Sequence, residues 1–208
     1  MTIELTTNTL QMCVCLVSAI WMTILAVQSA RPVHILMAGF SDTFALGTMY
    51  WTTHQLMTTQ IPDAFYLAEV SFMAAPLFLL CIEFYSGKQI FDGNFYPVAI
   101  PIYVVACGLW IFFTIDGGDG IANAMYMSAT AICFAKAVQN LRFGNPYGRS
   151  LHLYCICFVL VEWMLWFTEC IWSGDTWANP YYWVDNSLTL TIALIIPAVK
   201  GAWDYDLP

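Results

Sequence analysis

Seven stretches of about twenty mostly apolar residues follow one another along the chain, and together they take up nearly all of it. They fall at about 8–29, 33–53, 64–85, 96–115, 121–140, 151–172 and 180–200. The segments between them carry turn signals: "SARP", "TTQIPD", "SGKQIFDGN", "DGGDG", "RFGNPYGR" and "SGDTWANP". Runs of this length span a bilayer as helices, because lipid offers no partner to a backbone N–H or C=O. The expectation is an all-α polytopic membrane protein, a seven-transmembrane helix bundle, with residues 1–208 forming a single integral-membrane helical domain. Composition agrees: 60% of residues are hydrophobic and only 10% are charged, against about 25% in a soluble domain. The first run has no basic n-region and no clear cleavage site, so a removed signal peptide is not expected.

Orientation follows from the cations. The six Lys and Arg residues are Arg31, Lys88, Lys136, Arg142, Arg149 and Lys200. All lie in or beside the first, third and fifth connections or at the C-terminal end. The positive-inside rule then places the C-terminus in the cytoplasm and the N-terminus in the lumen or outside the cell. In a eukaryote the membrane would be that of the endoplasmic reticulum.

The stretch "LVEWMLWFTECIW", residues 160–172, is apolar enough for lipid yet holds Glu162 and Glu169. They are two helical turns apart, roughly 10 Å, on one face with Trp166 between them. Depth can be read for the other acids. Asp42 and Glu162 fall near mid-membrane, and Glu69, Glu169 and Asp185 fall in the outer half. Glu83 falls near the cytoplasmic interface, where its carboxylate can reach the headgroups. None of the five mid- and outer-membrane acids has a Lys or Arg at its level. An ionised carboxylate at the bilayer centre costs roughly 3 kcal/mol on insertion scales, so without a cation the neutral, proton-donating form is favoured. For any single acid the alternative is a helix-packing role; Asp42, beside Ser41 and Thr43, is the plainest case.

Aromatic residues make 16% of the chain. Most suit the interfacial belts, but Trp163 and Trp166 flank Glu162 at mid-depth. A ring face stabilises a cation by roughly 0.5–2 kcal/mol once water is excluded. An acid beside such rings suits protonation of a lipid-soluble substrate and stabilisation of the resulting carbocation. The expected site gathers Asp42, Glu69, Glu162, Glu169 and Asp185 around one cavity lined by Trp163, Trp166, Tyr182 and Trp183.

Nothing suggests a metal or a cofactor. His34, His54 and His152 lack ligand spacing, and the eight cysteines include no CxxC. Cys13/Cys15 and Cys155/Cys157 read as small apolar packing residues. A net charge of −8 without basic clusters argues against nucleic acid.

From residue 96 onward the layout resembles the integral-membrane terpene cyclases of fungal meroterpenoid and indole-diterpene pathways. The features that carry this are the acidic loop "IDGGDG", the segment "NLRFGNPYGRSLHLY", a span with "EWMLW" and a last span bearing polar groups. The resemblance implies a lyase of terpenoid biosynthesis. Such an enzyme acts as general acid toward an epoxide or alkene of a prenylated substrate, with acids on an early and on the last span. Asp42 and Asp185 hold those positions here, although the second span reads "FSDTFALGTMYW" where that family has a Trp–Glu pair. "WFTECIWSGDTWANPYYWVDNSLTLTIALIIPAV" and "FYLAEVSFMAAPLF" are similar to parts of the emopamil-binding sterol isomerase family. That likeness implies a pocket lined by Glu69, Glu169 and Asn186. Both resemblances imply a hydrophobic prenylated or sterol-like small molecule as partner, besides membrane lipid.

A second class is a proton-coupled carrier or channel using intramembrane carboxylates. Carriers usually show internal repeats or helices broken at paired positions; here Pro76, Pro101 and Pro197 are scattered. A seven-span receptor is a third class, with little loop surface for a cytoplasmic partner. A retinal-binding opsin would carry a lysine within its last span, whereas Lys200 lies at the end of it.

Overall fold

A computed structural model describes residues 2–58, 67–86, 97–115, 120–144 and 148–201, with the side chain of Glu69 outside them. The described residues form helices and connections, with no strand among them. The helices are α1 (Ile3–Ser29), α2 (Pro32–Thr58), α3 (Leu67–Ser86), α4 (Ala99–Ile115), α5 (Gly120–Phe143), α6 (Arg149–Ile171), α7 (Pro180–Ala193) and α8 (Ile195–Gly201). Each expected span coincides with a helix to within a few residues. Four are long and apolar enough to cross a membrane: α1, α5, α6 and the α7–α8 rod taken as Pro180–Lys200. Val70–Tyr85 and Ala99–Ile115 are apolar but shorter.

Two boundaries differ from expectation for identifiable reasons. α1 begins earlier, because the Thr2 hydroxyl accepts from Leu5 N at 3.2 Å and caps the helix. The Asp175 carboxylate, from the α6–α7 connection, also accepts from Ile3 N at 3.0 Å. The last rod is broken at Leu194. Pro197 has no N–H to offer the carbonyl four residues earlier, and its ring crowds that carbonyl. The Ser150 hydroxyl of α6 donates to Ala198 O at 2.8 Å and ties α8 down.

Side-chain bonds fix the helix directions. Thr52 of α2 reaches Asn8 O of α1, and Thr23 reaches Asp42, so α1 and α2 are antiparallel. Asn140 near the end of α5 and His152 near the start of α6 both meet Glu83, so α5 and α6 are antiparallel. Asn140 near the end of α5 meets Glu83 near the end of α3, so those two run together. One end of the bundle, here the N-terminal end, collects the start of α1 and the α6–α7 connection. The far end collects the α1–α2 turn, the ends of α3 and α5, and the start of α6.

The radial pattern suits lipid. Large apolar side chains face outward, Val27 at 78% and Ile121 at 77% exposure, while Gln11, Ser18 and Thr130 are buried inside. Such a surface is compatible with a membrane location. Glycine sets the α2–α3 distance. A Cβ on Gly39 would stand 2.5 Å from the Phe78 ring, and one on Gly47 2.8 Å from the Phe72 ring. Gly39→Val is therefore expected to lower stability by roughly 1–3 kcal/mol through overpacking. Thermal unfolding in detergent checks this, with Gly108→Ala, where an added Cβ meets nothing within 4 Å, as the control.

Candidate functional site

Helix α6 supplies the centre. Glu162 is buried at 5% exposure, and its Oε2 accepts from the Tyr126 hydroxyl of α5 at 2.9 Å. Trp166, one turn further along α6, stacks on the Tyr126 ring with centroids 4.6 Å apart and planes within 3°. Phe113 of α4 packs on the outer side of Trp166 at 5.7 Å. The carboxyl group of Glu162 thus sits beside a stacked aromatic pair that its own hydrogen bond holds in place.

Asp185 of α7 comes in from the neighbouring helix. It is 2% exposed, and its Oδ1 accepts from Gln11 Nε2 of α1 at 2.9 Å. Its Oδ2 is buried with no hydrogen-bond partner. Asp185 stands within Coulombic range of Glu162, Glu169 and Glu4. Glu169 is exposed, within Coulombic range of Asp185 and Glu4. Tyr181, half-buried, lies within the same range of Asp185, Glu169 and Glu4. Glu162, Asp185, Glu169 and Glu4 are thus neighbouring acids toward the N-terminal end, with Tyr126 and Tyr181 beside them.

The described cations lie elsewhere. Arg31 follows α1, Arg142 and Arg149 flank the α5–α6 connection, Lys200 stands over the Trp21 ring at 5.7 Å, and Lys136 lies near Glu83. All are at or toward the far end.

Several expectations need correction. Asp42 does not join these acids. It is exposed on the outside of the bundle, and both its oxygens accept from the Thr23 hydroxyl at 3.0 Å. Its work is to hold α2 to α1. The side chain of Glu69 lies outside the described residues. Trp163 is buried against α5, its Nε1 donating to the Thr130 hydroxyl at 2.9 Å and its ring meeting Phe134 edge-on at 5.8 Å, so it packs α6 on α5. Tyr182 donates to Asp175 Oδ1 at 3.1 Å and belongs to the connection that caps α1. Trp183 is 61% exposed and donates to Trp177 O at 2.9 Å. Asn186 donates to Tyr182 O at 2.6 Å, a bond within its own helix. Asp175→Ala removes the second cap of α1 and is expected to cost about 1 kcal/mol, read as a lower thermal midpoint.

Glu83 is corrected in the other direction. It does not reach the headgroups; it is fully buried at 0% exposure. Its carboxylate accepts from His152 Nδ1 at 2.9 Å and from Asn140 Nδ2 at 2.8 Å. Lys136, expected beside a connection, is 2% exposed within α5 and lies in Coulombic range of Glu83. Sequence reasoning also missed Tyr126, Tyr181, Glu4 and Gln11. The polar residues that interrupt the apolar run of α5, from Asn123 to Thr130, were the available sign for Tyr126. Among the described residues no group of three His, Cys, Asp or Glu side chains is arranged to hold a metal ion. No protein-family model, curated protein or solved structure matches the chain.

Proposed function

We propose that this chain is a membrane-embedded, acid-initiated terpene cyclase or isomerase acting on a prenylated or sterol-like lipid. In this reading the rods form seven spans, with the N-terminal end lumenal or extracellular, in keeping with the cations at the far end. The observation that carries the proposal is the Glu162 carboxyl group, buried beside the stacked Tyr126–Trp166 pair, with Asp185 and Glu169 in Coulombic range and the described cations toward the far end.

Each part has a chemical role. Glu162 gives its proton to an alkene or epoxide of the bound substrate, and Tyr126 hydrogen-bonds the carboxylate that is left. The Trp166 face stabilises the carbocation as it forms. Asp185 or Glu169 then takes a proton from a carbon next to the cation, closing a double bond. One proton enters and one leaves, so the product is an isomer of the substrate. Proton donors placed this way typically contribute about 10²–10⁴-fold in rate.

The test uses purified protein in nanodiscs with a farnesylated arene, its terminal epoxide and a sterol as probes, with a chelator present. Chromatography and mass spectrometry would show a product of unchanged mass with a new ring or a shifted double bond. A well-folded protein that turns over none of these, but moves a solute across liposomes with a proton, would favour the carrier class instead.

A further inference from the structure

Two charged side chains, Asp42 and Lys200, are exposed on the outside of the bundle, one on each side of α1. Both oxygens of Asp42 accept from the single hydroxyl of Thr23, at 3.0 Å each. Among the described residues that hydroxyl is its hydrogen-bond partner, whereas a carboxylate has room for about four donors. The Lys200 ammonium stands 5.7 Å from the centre of the Trp21 ring. Trp21 and Thr23 differ in height by about 3 Å along α1, so the two charges lie at similar levels.

Their placement around α1 is equally specific. At about 100° per residue, Thr23 and Trp21 mark the edges of an arc of about 160°. Val17, Ile20, Ile24 and Val27 fall inside that arc, and all four are exposed. Ser18, Met22 and Ala26 fall on the opposite side and are buried. The outer face of α1 is therefore apolar along its middle, with an acid from α2 at one edge and a cation from α8 at the other.

This inference rests on the membrane placement in the proposed reading, and not on its chemistry. Thr23 lies about 9 Å inside the end of α1 at Ser29, so Asp42 faces lipid at that level. Charged side chains within spans face a bundle interior or pair with one another. In a single copy Asp42 does neither, and tying α2 to α1 needs no charge. Copies inserted the same way up carry Asp42 and Lys200 at matching heights. A half-turn about the membrane normal sets the acidic edge of one α1 face against the basic edge of the other, twice over. We propose that two copies of this chain dimerise through α1, with Val17, Ile20, Ile24 and Val27 at the centre and each Asp42 paired with the partner's Lys200. A foreign helix with one lysine would answer Asp42 alone; a second copy answers both charges. The contact leaves out Glu162, Asp185 and Glu169.

The experiment reconstitutes the full chain, carrying one fluorophore per copy, into large liposomes over a range of protein-to-lipid ratios. Photobleaching steps count the copies in each complex. The expected result is two steps, giving way to one only on dilution. Asp42→Asn and Lys200→Met should each weaken dimerisation about tenfold or more. Mixed together, these variants form a heterodimer that keeps one complete pair, and they should associate more tightly than either does alone. Circular dichroism and size-exclusion profiles establish that both are folded. A single step at every ratio would overturn the proposal. Dimers that survive both substitutions, or a mixture no tighter than its components, would do so too. Alkaline carbonate extraction tests the membrane placement separately. A chain that washes off the vesicles contradicts that placement and the dimer with it, whereas an embedded monomer contradicts the dimer alone.

Discussion

Glutamine at position 162 is expected to lower turnover of a prenylated or sterol-like substrate by about 10²–10⁴-fold, with little change in folding. The amide keeps the volume of the side chain and an oxygen for the Tyr126 hydroxyl, which stands 2.9 Å away. What it lacks is the transferable proton. Asp185→Asn is expected to act on a different step, because Gln11 can still donate to the remaining oxygen while the proton acceptor is gone. Trp166→Phe should slow the reaction less than either, since a smaller ring face still packs on Tyr126. The Asp42 variant is the useful contrast. Asp42→Asn alters an exposed bond to Thr23 and should leave turnover unchanged. Steady-state rates in nanodiscs, normalised to folded protein, separate the four variants.

The largest effect on stability is expected from His152→Leu. His152 and Glu83 are both fully buried, and the imidazole satisfies the carboxylate from one side while Asn140 does so from the other. Removing one partner leaves a fully buried carboxyl group without one of its donors and costs roughly 1–3 kcal/mol, in addition to the lost packing of the imidazole. The variant should unfold at markedly lower temperature or denaturant concentration. The double variant His152→Leu, Glu83→Leu should recover much of the loss, because the apolar pair leaves no carboxylate to satisfy. If the single change cost no more than a surface substitution, the Glu83 cluster would not be the tie between α3, α5 and α6 that its geometry describes.

Depth was legible in the sequence, and azimuth was not. Runs of apolar residues and Pro/Gly connections locate every helix, because length and hydropathy decide what can span lipid. Counting residues from a helix end then gives a level along the bundle, and Glu162, Glu169 and Asp185 lie within Coulombic range of one another. Direction around the helix is another matter. In a soluble helix the polar face marks the outside, but a lipid-facing surface is as apolar as a core, so that mark is lost. Asp42 shows the consequence: its side chain lies on the outside of the bundle, bonded to Thr23. Trp183 fails in the same way, lying one position beyond Tyr182 on a helix whose start is set by the Asn179 cap.

Glu83 failed for a different reason. Its partners His152 and Asn140 are 69 and 57 residues away. No local pattern announces them, so a residue that looked close enough to reach the headgroups is instead enclosed by three helices. The Tyr126 partner of Glu162, 36 residues away, was hidden likewise. Glu4 was missed because apolarity begins only at about residue 8, whereas the caps from Thr2 and Asp175 start the helix earlier. The break at Leu194 was half legible: Pro197 announces a disturbance, and the carbonyl it displaces sets where the rod gives way.

In the proposed reaction the Glu162 carboxylic acid protonates carbon. Turnover of a farnesylated arene by the purified protein in heavy water tests it most directly. The account predicts a cyclised or isomerised product that carries deuterium at a former alkene carbon and disappears with Glu162→Gln. A product formed at full rate without deuterium on carbon, or formed equally well by the Glu162→Gln protein, would contradict it.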